Sequence, residues 1–467
     1  MASAPRIIDI AALIDGRKLG PFNYKLIALS WLITVFDGFD MMMISFTAPY
    51  MRDELRFDKL MLGNVFSAGL FGMMLGGFAF AYLGDRIGRR QTIISAAFAF
   101  GILTTATAFA RSYEALLVLR FLDGFAIGGM LPLAWALNIE YVPGKFRSTV
   151  VTVIMMGYSL GTAVAGPATV WLAPQFGWEG VFVFGGLGTL ICAALLWRGL
   201  PESVRFLASK GQRPDVIAAT LNKLDPLLGA RVDDEFVLSD EHRDASNFTV
   251  RKLFEGDLKW LTPLLWLAYI ASTLAIYFKA NWGPIVYEDL HFTRDTAAYV
   301  SSFSGMMGAV FGLLLMRFTD RYGPFAVAVY PLCAFPVLLA IGLLPMSSDM
   351  FLVLSVVSTS FVGGAHFGIL SIAGVFYLSS IRANGAGWAT SVAKVGGIAG
   401  PILGGIVLSS GLPIVRSFAI LAICPAVLAT CAIGIGLVVR RRSRAPATPS
   451  RSRSSLPTHR ASDTPTF

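Results

Sequence analysis

Residues 24–50 read YKLIALSWLITVFDGFDMMMISFTAPY, an apolar run that carries two carboxylates at its centre, in Phe36-Asp37-Gly38-Phe39-Asp40. A helix of about 20 residues crosses a bilayer, so this run is long enough to span one. An ionised carboxylate at mid-depth costs about 3 kcal/mol or more unless it faces a partner or water, which makes an intramembrane acid a functional candidate. Asp37 and Asp40 are three residues apart and share one helix face. A fixed internal ion pair is the plainer alternative. It is disfavoured because a buried pair contributes little net stability and apolar residues would serve as well.

The rest of the chain has the same character. Of 467 residues, 55% are hydrophobic and only 14% are charged, and the mean hydropathy is +0.66. Repeated long apolar runs point to an all-α membrane protein with many spans and exclude an ordinary soluble enzyme. The lack of strict alternation excludes a membrane β-barrel. The formal net charge of +9 would suggest nucleic acid in a soluble chain, but here the basic residues gather in short loops and the tail, where they set orientation. Cys192, Cys333, Cys424 and Cys431 all lie in apolar runs and read as small buried side chains. The first twenty residues lack a compact apolar core, so no cleavable signal peptide is expected.

Twelve transmembrane helices are expected, at about 24–50, 61–83, 91–110, 115–139, 149–172, 180–198, 259–281, 296–317, 324–344, 351–376, 384–408 and 414–438. An even number places both termini on one side. The loops with Arg86, Arg89 and Arg90, with Lys145 and Arg147, with Arg321 and with Arg382, and the basic run from Arg440, fall on that side, which the positive-inside rule makes the cytoplasm. The expected organisation is a cytoplasmic segment 1–23, a six-helix bundle 24–198, a polar linker 199–258, a second six-helix bundle 259–438 and a basic tail 439–467. The tail is rich in Ser, Pro, Thr and Arg and lacks the large apolar side chains a packed core needs.

The halves repeat each other. Gly84-Asp85-Arg86 is echoed by Thr319-Asp320-Arg321, Arg147 by Arg382, and Gly166-Pro167 by Gly400-Pro401, at separations of 235, 235 and 234 residues. Two pseudo-symmetric bundles with a site at the midplane between them are the sequence mark of secondary transporters.

The loop Ala81-Tyr82-Leu83-Gly84-Asp85-Arg86-Ile87-Gly88-Arg89-Arg90 resembles the loop signature of the major facilitator superfamily, with Ala81 where the usual pattern has glycine. The resemblance covers essentially the whole chain and implies the major facilitator fold. Arg120-Phe121-Leu122-Asp123-Gly124, Glu140-Tyr141-Val142-Pro143 with Arg147, and Pro201-Glu202-Ser203-Val204-Arg205-Phe206-Leu207 resemble the branch that holds sugar porters, organic-ion carriers and aromatic acid/proton symporters. The Asp37-Gly38-Phe39-Asp40 stretch, with Arg382-Ala383-Asn384-Gly385, Gly387-Trp388, Gly396-Gly397 and Gly400-Pro401, most resembles the aromatic acid/proton symporters. That resemblance implies uptake of hydroxybenzoate-like acids into bacterial cells with a proton. Lys394 stands where these symporters usually carry arginine. It exchanges a two-pronged carboxylate fork for a mobile point charge.

The candidate residues follow. Asp37 and Asp40 are the proton-coupling candidates. Lys394 lies about ten residues into its span, roughly 15 Å deep at 1.5 Å per residue, and is expected to face the cavity and a substrate carboxylate. In the repeat register Asp37 and Asp40 correspond to Ser272 and Ala275, and Lys394 to Ser159, so the acids and this cation belong to opposite halves. Lys279 is a second candidate cation, although a lysine near a span end can simply snorkel. Arg120 is a further candidate, with a local pair to Asp123 equally open. His366 can relay protons or bond a ring hydroxyl, or serve as a hydrogen-bonded interface residue. Phe36, Phe39, Trp282 and Trp388 offer aromatic faces or ordinary packing. Asp85, Arg86, Arg89, Glu140, Arg147, Asp320 and Arg321 form the expected cytoplasmic gate.

No phosphate-binding glycine loop, metal-ligand spacing or catalytic constellation is present, so no enzyme activity, metal or cofactor is expected and the drive is the proton gradient. The expected activity is proton-coupled import of small aromatic carboxylates by alternating access, by a monomer in the bacterial inner membrane, without nucleic acid. Two other classes stay open: a proton-coupled exporter, since Gly161 and Gly166-Pro167 partly resemble a glycine-proline pattern of exporters, and a non-transporting sensor on the same fold.

Overall fold

A computed structural model describes the backbone of residues 5–239, 250–256, 258–377 and 382–444. It describes their side chains except at 320–321, 371–376, 382–384 and 441–444. The side chains of Asp320, Arg321 and Arg382 and the tail beyond 444 therefore lie outside the described residues.

Local chemistry sets where each long helix begins. Helix α1, Pro21–Leu55, starts with proline in its first turn, and the Asn23 side chain accepts from the Gly20 N–H at 3.0 Å. It ends at Arg56, which takes a left-handed conformation with φ of 56°. Asp58 then accepts from the Met61 N–H at 2.7 Å and opens α2, Lys59–Ile87. After α3, Arg89–Thr107, Ser112 caps α4, Tyr113–Tyr141. Arg147–Gly199 is helical throughout except at Gly177, whose φ of 69° and ψ of 179° break it into α5, 147–176, and α6, 178–199. The spans expected at 149–172 and 180–198 left residues 173–179 between them; a single glycine suffices to turn the chain.

The second half repeats the pattern. It comprises α7, Leu258–Asp289; α8, Arg294–Tyr322, capped by Thr293; α9, Pro324–Leu343; α10, Ser348–Phe376, capped by Ser347; and α11, Arg382–Ser409. The last, α12, is Arg416–Leu421 followed by Ile423–Arg444. The twelve helices alternate in direction, so α1 begins and α12 ends on one face, here the terminal face.

Within the first half α1 packs on α5 and α6, and α2 on α4; within the second α7 packs on α11, and α8 on α10. Glycine makes the closest approaches possible. A Cβ at Gly124 would collide with the Gly69 carbonyl, and one at Gly161 with the Val35 carbonyl. The halves meet through α2 on α11, α5 on α8 and α1 on α7. Gly166 and Gly161 are therefore contact points of α5, against α8 and α1 respectively. Phe66 of α2 stands edge-on to the fully buried Trp282 of α7 at 5.5 Å, which carries the apolar core across the two halves.

Polar segments cap the terminal face. The short strand Ile7–Asp9 pairs in parallel with Glu235–Val237, and the amphipathic helix Pro214–Leu224 buries Ile217 and Leu221 beneath the first half. The four cysteines are free, with Cys192 and Cys431 buried.

Candidate functional site

The Asp37–Asp40 stretch sits where α1 presses hardest on its neighbours. Gly38 lies against the Tyr158 carbonyl of α5, where no Cβ would fit. That contact fixes which way the flanking acids point. Asp40 is drawn into a cluster: Arg120 Nη2 of α4 donates to both its oxygens at 3.1 and 3.2 Å and also to Asp123. Thr104 of α3 donates to Asp123 at 2.9 Å and lies 3.3 Å from Asp40. The Arg120 guanidinium stacks over the Phe182 ring at 5.4 Å. One cation is thus shared by two buried carboxylates.

Asp37 differs. It is 0% exposed, and neither carboxylate oxygen has a hydrogen-bond partner. Tyr158 of α5 and Tyr277 of α7 lie within electrostatic range of it, so this acid faces the boundary between the halves. A buried carboxyl with nothing to bond is costly when charged, and titratable groups of this kind gather at functional sites.

The cations of the second half stand apart from these acids. Lys394 Nζ reaches across to the Met73 carbonyl of α2 at 3.4 Å, beside Gly77. Among the described residues it has no carboxylate partner. Lys279 Nζ donates to Ser358 of α10 at 2.7 Å and lies 5.2 Å from the Phe418 ring, again without a described carboxylate. His366 Nδ1 is 2.9 Å from the Ser272 hydroxyl. Ser272 is the repeat counterpart of Asp37, so the second half fills that position with a hydroxyl–imidazole pair.

The four aromatic candidates are taken up in packing. Phe36 lies against Gly188, and Phe39 stands edge-on to Phe184 at 5.7 Å, both on α6. Trp282 donates to the Pro401 carbonyl at 3.0 Å, and Trp388 stacks on Trp266 at 6.2 Å. The cavity between α1, α7, α8 and α10 is lined, together with Trp282, by Phe46, Phe278, Phe367 and Phe418. Sequence reading missed these because aromatic residues abound in every span.

At the terminal face Arg89 pairs with Glu140, which also accepts from Ser203, and Glu202 accepts from the Arg89 and Arg90 N–H groups at 3.0 and 3.1 Å. Arg86 bonds the Tyr82 hydroxyl at 3.0 Å, and Arg147 pairs with Asp15 at 3.5 Å. The Asp85 side chain is 78% exposed and, among the described residues, pairs only with Arg89, at 3.9 Å. All these bonds stay within the first half and its flanking segments. Among the described residues, every ion pair that joins the halves lies at the opposite face: Arg52 with Asp289 and Glu288, Lys59 with Asp289, and Arg294 with Asp53.

Two pseudo-symmetric six-helix halves, latched at one face around a buried carboxyl, form a transporter rather than an enzyme, and sequence comparison agrees. The profile of the Major Facilitator Superfamily matches residues 30–325. This chain belongs to the major facilitator superfamily. Within the superfamily it is similar to a gallate transporter of Pseudomonas putida, 33% identical over 432 residues, covering 91% of this chain and 94% of that protein. It is also similar to the 4-hydroxybenzoate transporter PcaK of Pseudomonas putida, 31% identical over 442 residues, with coverage of 94% and 97%. Among solved structures, a bacterial homolog of the human lysosomal transporter Spinster in an inward-facing, unoccupied conformation superposes with a TM-score of 0.69. At 16% identity over 93% of this chain and 100% of that one, the likeness speaks to the fold. The major facilitator architecture makes this chain a multi-pass membrane transporter.

Proposed function

We propose that this transporter imports small aromatic carboxylates of the hydroxybenzoate kind together with protons, across the bacterial inner membrane, with its terminal face in the cytoplasm. The observation that carries the reading is the unpartnered, fully buried Asp37 beside the Arg120-bridged Asp40 and Asp123. Asp40 already has its counter-charge, whereas Asp37 does not. A proton on Asp37 removes a charge whose burial opposes closure of the halves, so loading the proton and closing the carrier become one event. Lys394 and Lys279, on the opposite half, supply the positive charge an organic anion requires. The relatives named for gallate and 4-hydroxybenzoate supply the cargo class.

With the latch at the opposite face made and Asp85 exposed, the arrangement fits a carrier open toward the cytoplasm, the state that releases cargo. Rocking of the halves would part Arg52 from Asp289 and bring the terminal-face residues Asp85, Arg86, Arg89, Glu140, Arg147, Asp320 and Arg321 into play. The membrane potential contributes about 2.3 kcal/mol per charge per 100 mV. Entry of a monovalent anion is opposed by it, so electrogenic uptake needs more than one proton per anion.

The test is uptake of labelled 4-hydroxybenzoate into proteoliposomes with an imposed inward proton gradient, with unlabelled aromatic and aliphatic acids as competitors. Accumulation that collapses with a protonophore and in Asp37→Asn supports the reading. Absence of uptake, with no competitor binding the protein, removes it.

A further inference from the structure

We propose that the cavity between α7, α8 and α10 is the subsite that reads the cargo, and that it selects ring-hydroxylated aromatic acids over unsubstituted ones. Lys279 takes the carboxylate, and Ser301 and Ser302 bond the ring hydroxyls. The inference rests on the aromatic-acid reading above and assigns it a pocket.

Three observations converge there. First, Lys279 sits about two and a half turns inward from Glu288, roughly 13 Å at 1.5 Å per residue. The span end is too far for its ammonium to reach water easily by snorkelling. Its one hydrogen bond goes to the neutral Ser358, and among the described residues no carboxylate approaches it. A half-buried ammonium held by one hydroxyl and a ring face has unused capacity for an anion. Lys394, by contrast, spends its reach on the Met73 carbonyl where α2 and α11 close together.

Second, hydroxyls line the same cavity with nothing to bond. Ser301 and Ser302 of α8 have buried Oγ atoms without a partner, and Ser302 is 7% exposed. Serines in spans usually satisfy themselves on the carbonyl one turn back, as Ser358 and Thr359 do on Ser355 at 2.9 and 2.8 Å. A buried hydroxyl left unsatisfied is costly, so a ligand hydroxyl placed there removes a penalty as well as forming a bond.

Third, the same cavity has aromatic lining, including Phe278 and Phe418, and the Phe418 ring lies 5.2 Å from Lys279 Nζ. A flat ring that carries an acid and hydroxyls matches that set of groups. The cavity also touches both halves, through Met42 of α1 and through α7, so occupancy can be felt by the helix that carries Asp37.

The test is equilibrium binding to the purified full chain of three probes: 3,4-dihydroxybenzoate, benzoate and the neutral 3,4-dihydroxybenzamide. A site built to bond ligand hydroxyls rejects analogues that lack them. Wild type is expected to favour the dihydroxy acid over benzoate by about tenfold or more. In Ser301→Ala/Ser302→Ala that preference falls to about twofold while benzoate binding is kept. In Lys279→Met both acids weaken about tenfold or more and the benzamide does not. The methionine keeps the volume, and apolar replacement of a buried charge is commonly neutral or stabilising, so this variant folds. Variants that keep wild-type preference and affinity overturn the pocket alone. A wild-type protein that binds none of the three probes overturns the aromatic-acid reading, and this inference with it.

Discussion

Arg52 on α1 and Asp289 on α7 lie 237 residues apart in the chain and 2.9 Å apart in space. The bond is the centre of a latch in which Lys59 reaches the same carboxylate at 2.8 Å and Arg294 crosses to Asp53 while its guanidinium stacks on the Tyr50 ring at 4.4 Å. Each pair is partly exposed, so each contributes on the order of 0.2 to 1 kcal/mol, but several act on one equilibrium between open and closed faces.

Arg52→Ala is therefore expected to shift that equilibrium toward opening of the latched face by about fivefold, the ratio that 1 kcal/mol commands. A cysteine placed at Gly305, where a Cβ meets nothing within 4 Å, reports the change. Its reaction with a membrane-impermeant maleimide from the latched side should quicken in Arg52→Ala. An unchanged rate would mean that helix packing alone holds this face.

Asp37 and Arg120 are expected to respond in opposite ways. Asp37→Asn removes an unbonded buried acid, so the protein should melt at or above the wild-type temperature while gradient-driven accumulation is lost. Arg120→Ala leaves Asp40 and Asp123 facing each other without their cation. Removing one partner of a buried cluster costs about 3 to 5 kcal/mol, so this variant should melt several degrees lower. Thermal unfolding in one detergent compares them. A destabilised Asp37→Asn would show that Asp37 has a structural partner after all.

The α2–α4 seam should be intolerant of a single methyl group. At Gly124 a Cβ would collide with the Gly69 carbonyl, a backbone atom that cannot swing aside, whereas Gly387 of α11 has nothing within 4 Å. Overpacking costs about 1 to 3 kcal/mol or more. Gly124→Ala should therefore lower the melting temperature clearly and Gly387→Ala should leave it near wild type. Equal melting of the two would show that α2 and α4 can separate without cost.

The fold was legible because the bilayer imposes length and the repeat imposes register. Twelve apolar runs and three landmarks about 235 residues apart dictate two six-helix halves. Boundaries slipped where one residue replaces a loop, as at Gly177. That Asp37 is an unusual acid was also legible, since a carboxylate in the middle of an apolar run stands out. The difference in surroundings between Asp37 and Asp40 was not. It depends on Arg120 and Thr104, brought from α4 and α3 by packing that periodicity cannot specify. Lys279 was ambiguous for a related reason. Its distance from the end of its run allowed snorkelling, and only the cavity shared with α8 and α10 shows what surrounds it. The aromatic candidates were ambiguous too: Phe36 and Phe39 pack on α6 within the first half, whereas Trp282 meets Phe66 of the other half and also lines the cavity.

Outside the membrane, Asp234 ties the start of the chain to the linker. It accepts from the Arg6 N–H at 3.1 Å, from Arg6 Nη2 at 2.9 Å and from the Arg231 N–H at 2.8 Å. These donors, the Arg6 side chain first, hold its carboxyl down to about 2, from an ordinary 3.8. A carboxyl whose folded value is depressed contributes stability that is complete above its unfolded value and is lost as pH falls through the folded one. Docking of the strand Ile7–Asp9 on Glu235–Val237 should accordingly be indifferent to pH from about 7 down to 5, and weaken only from about 4 toward 2. Asp234→Asn removes the charge at every pH. Amide hydrogen exchange of residues 7–9, corrected for the intrinsic rate, should therefore be several-fold faster in that variant at neutral pH and in the wild type only in strong acid. Equal protection in both proteins at neutral pH would show that the strand pairing, rather than the Arg6–Asp234 contact, holds the segment in place.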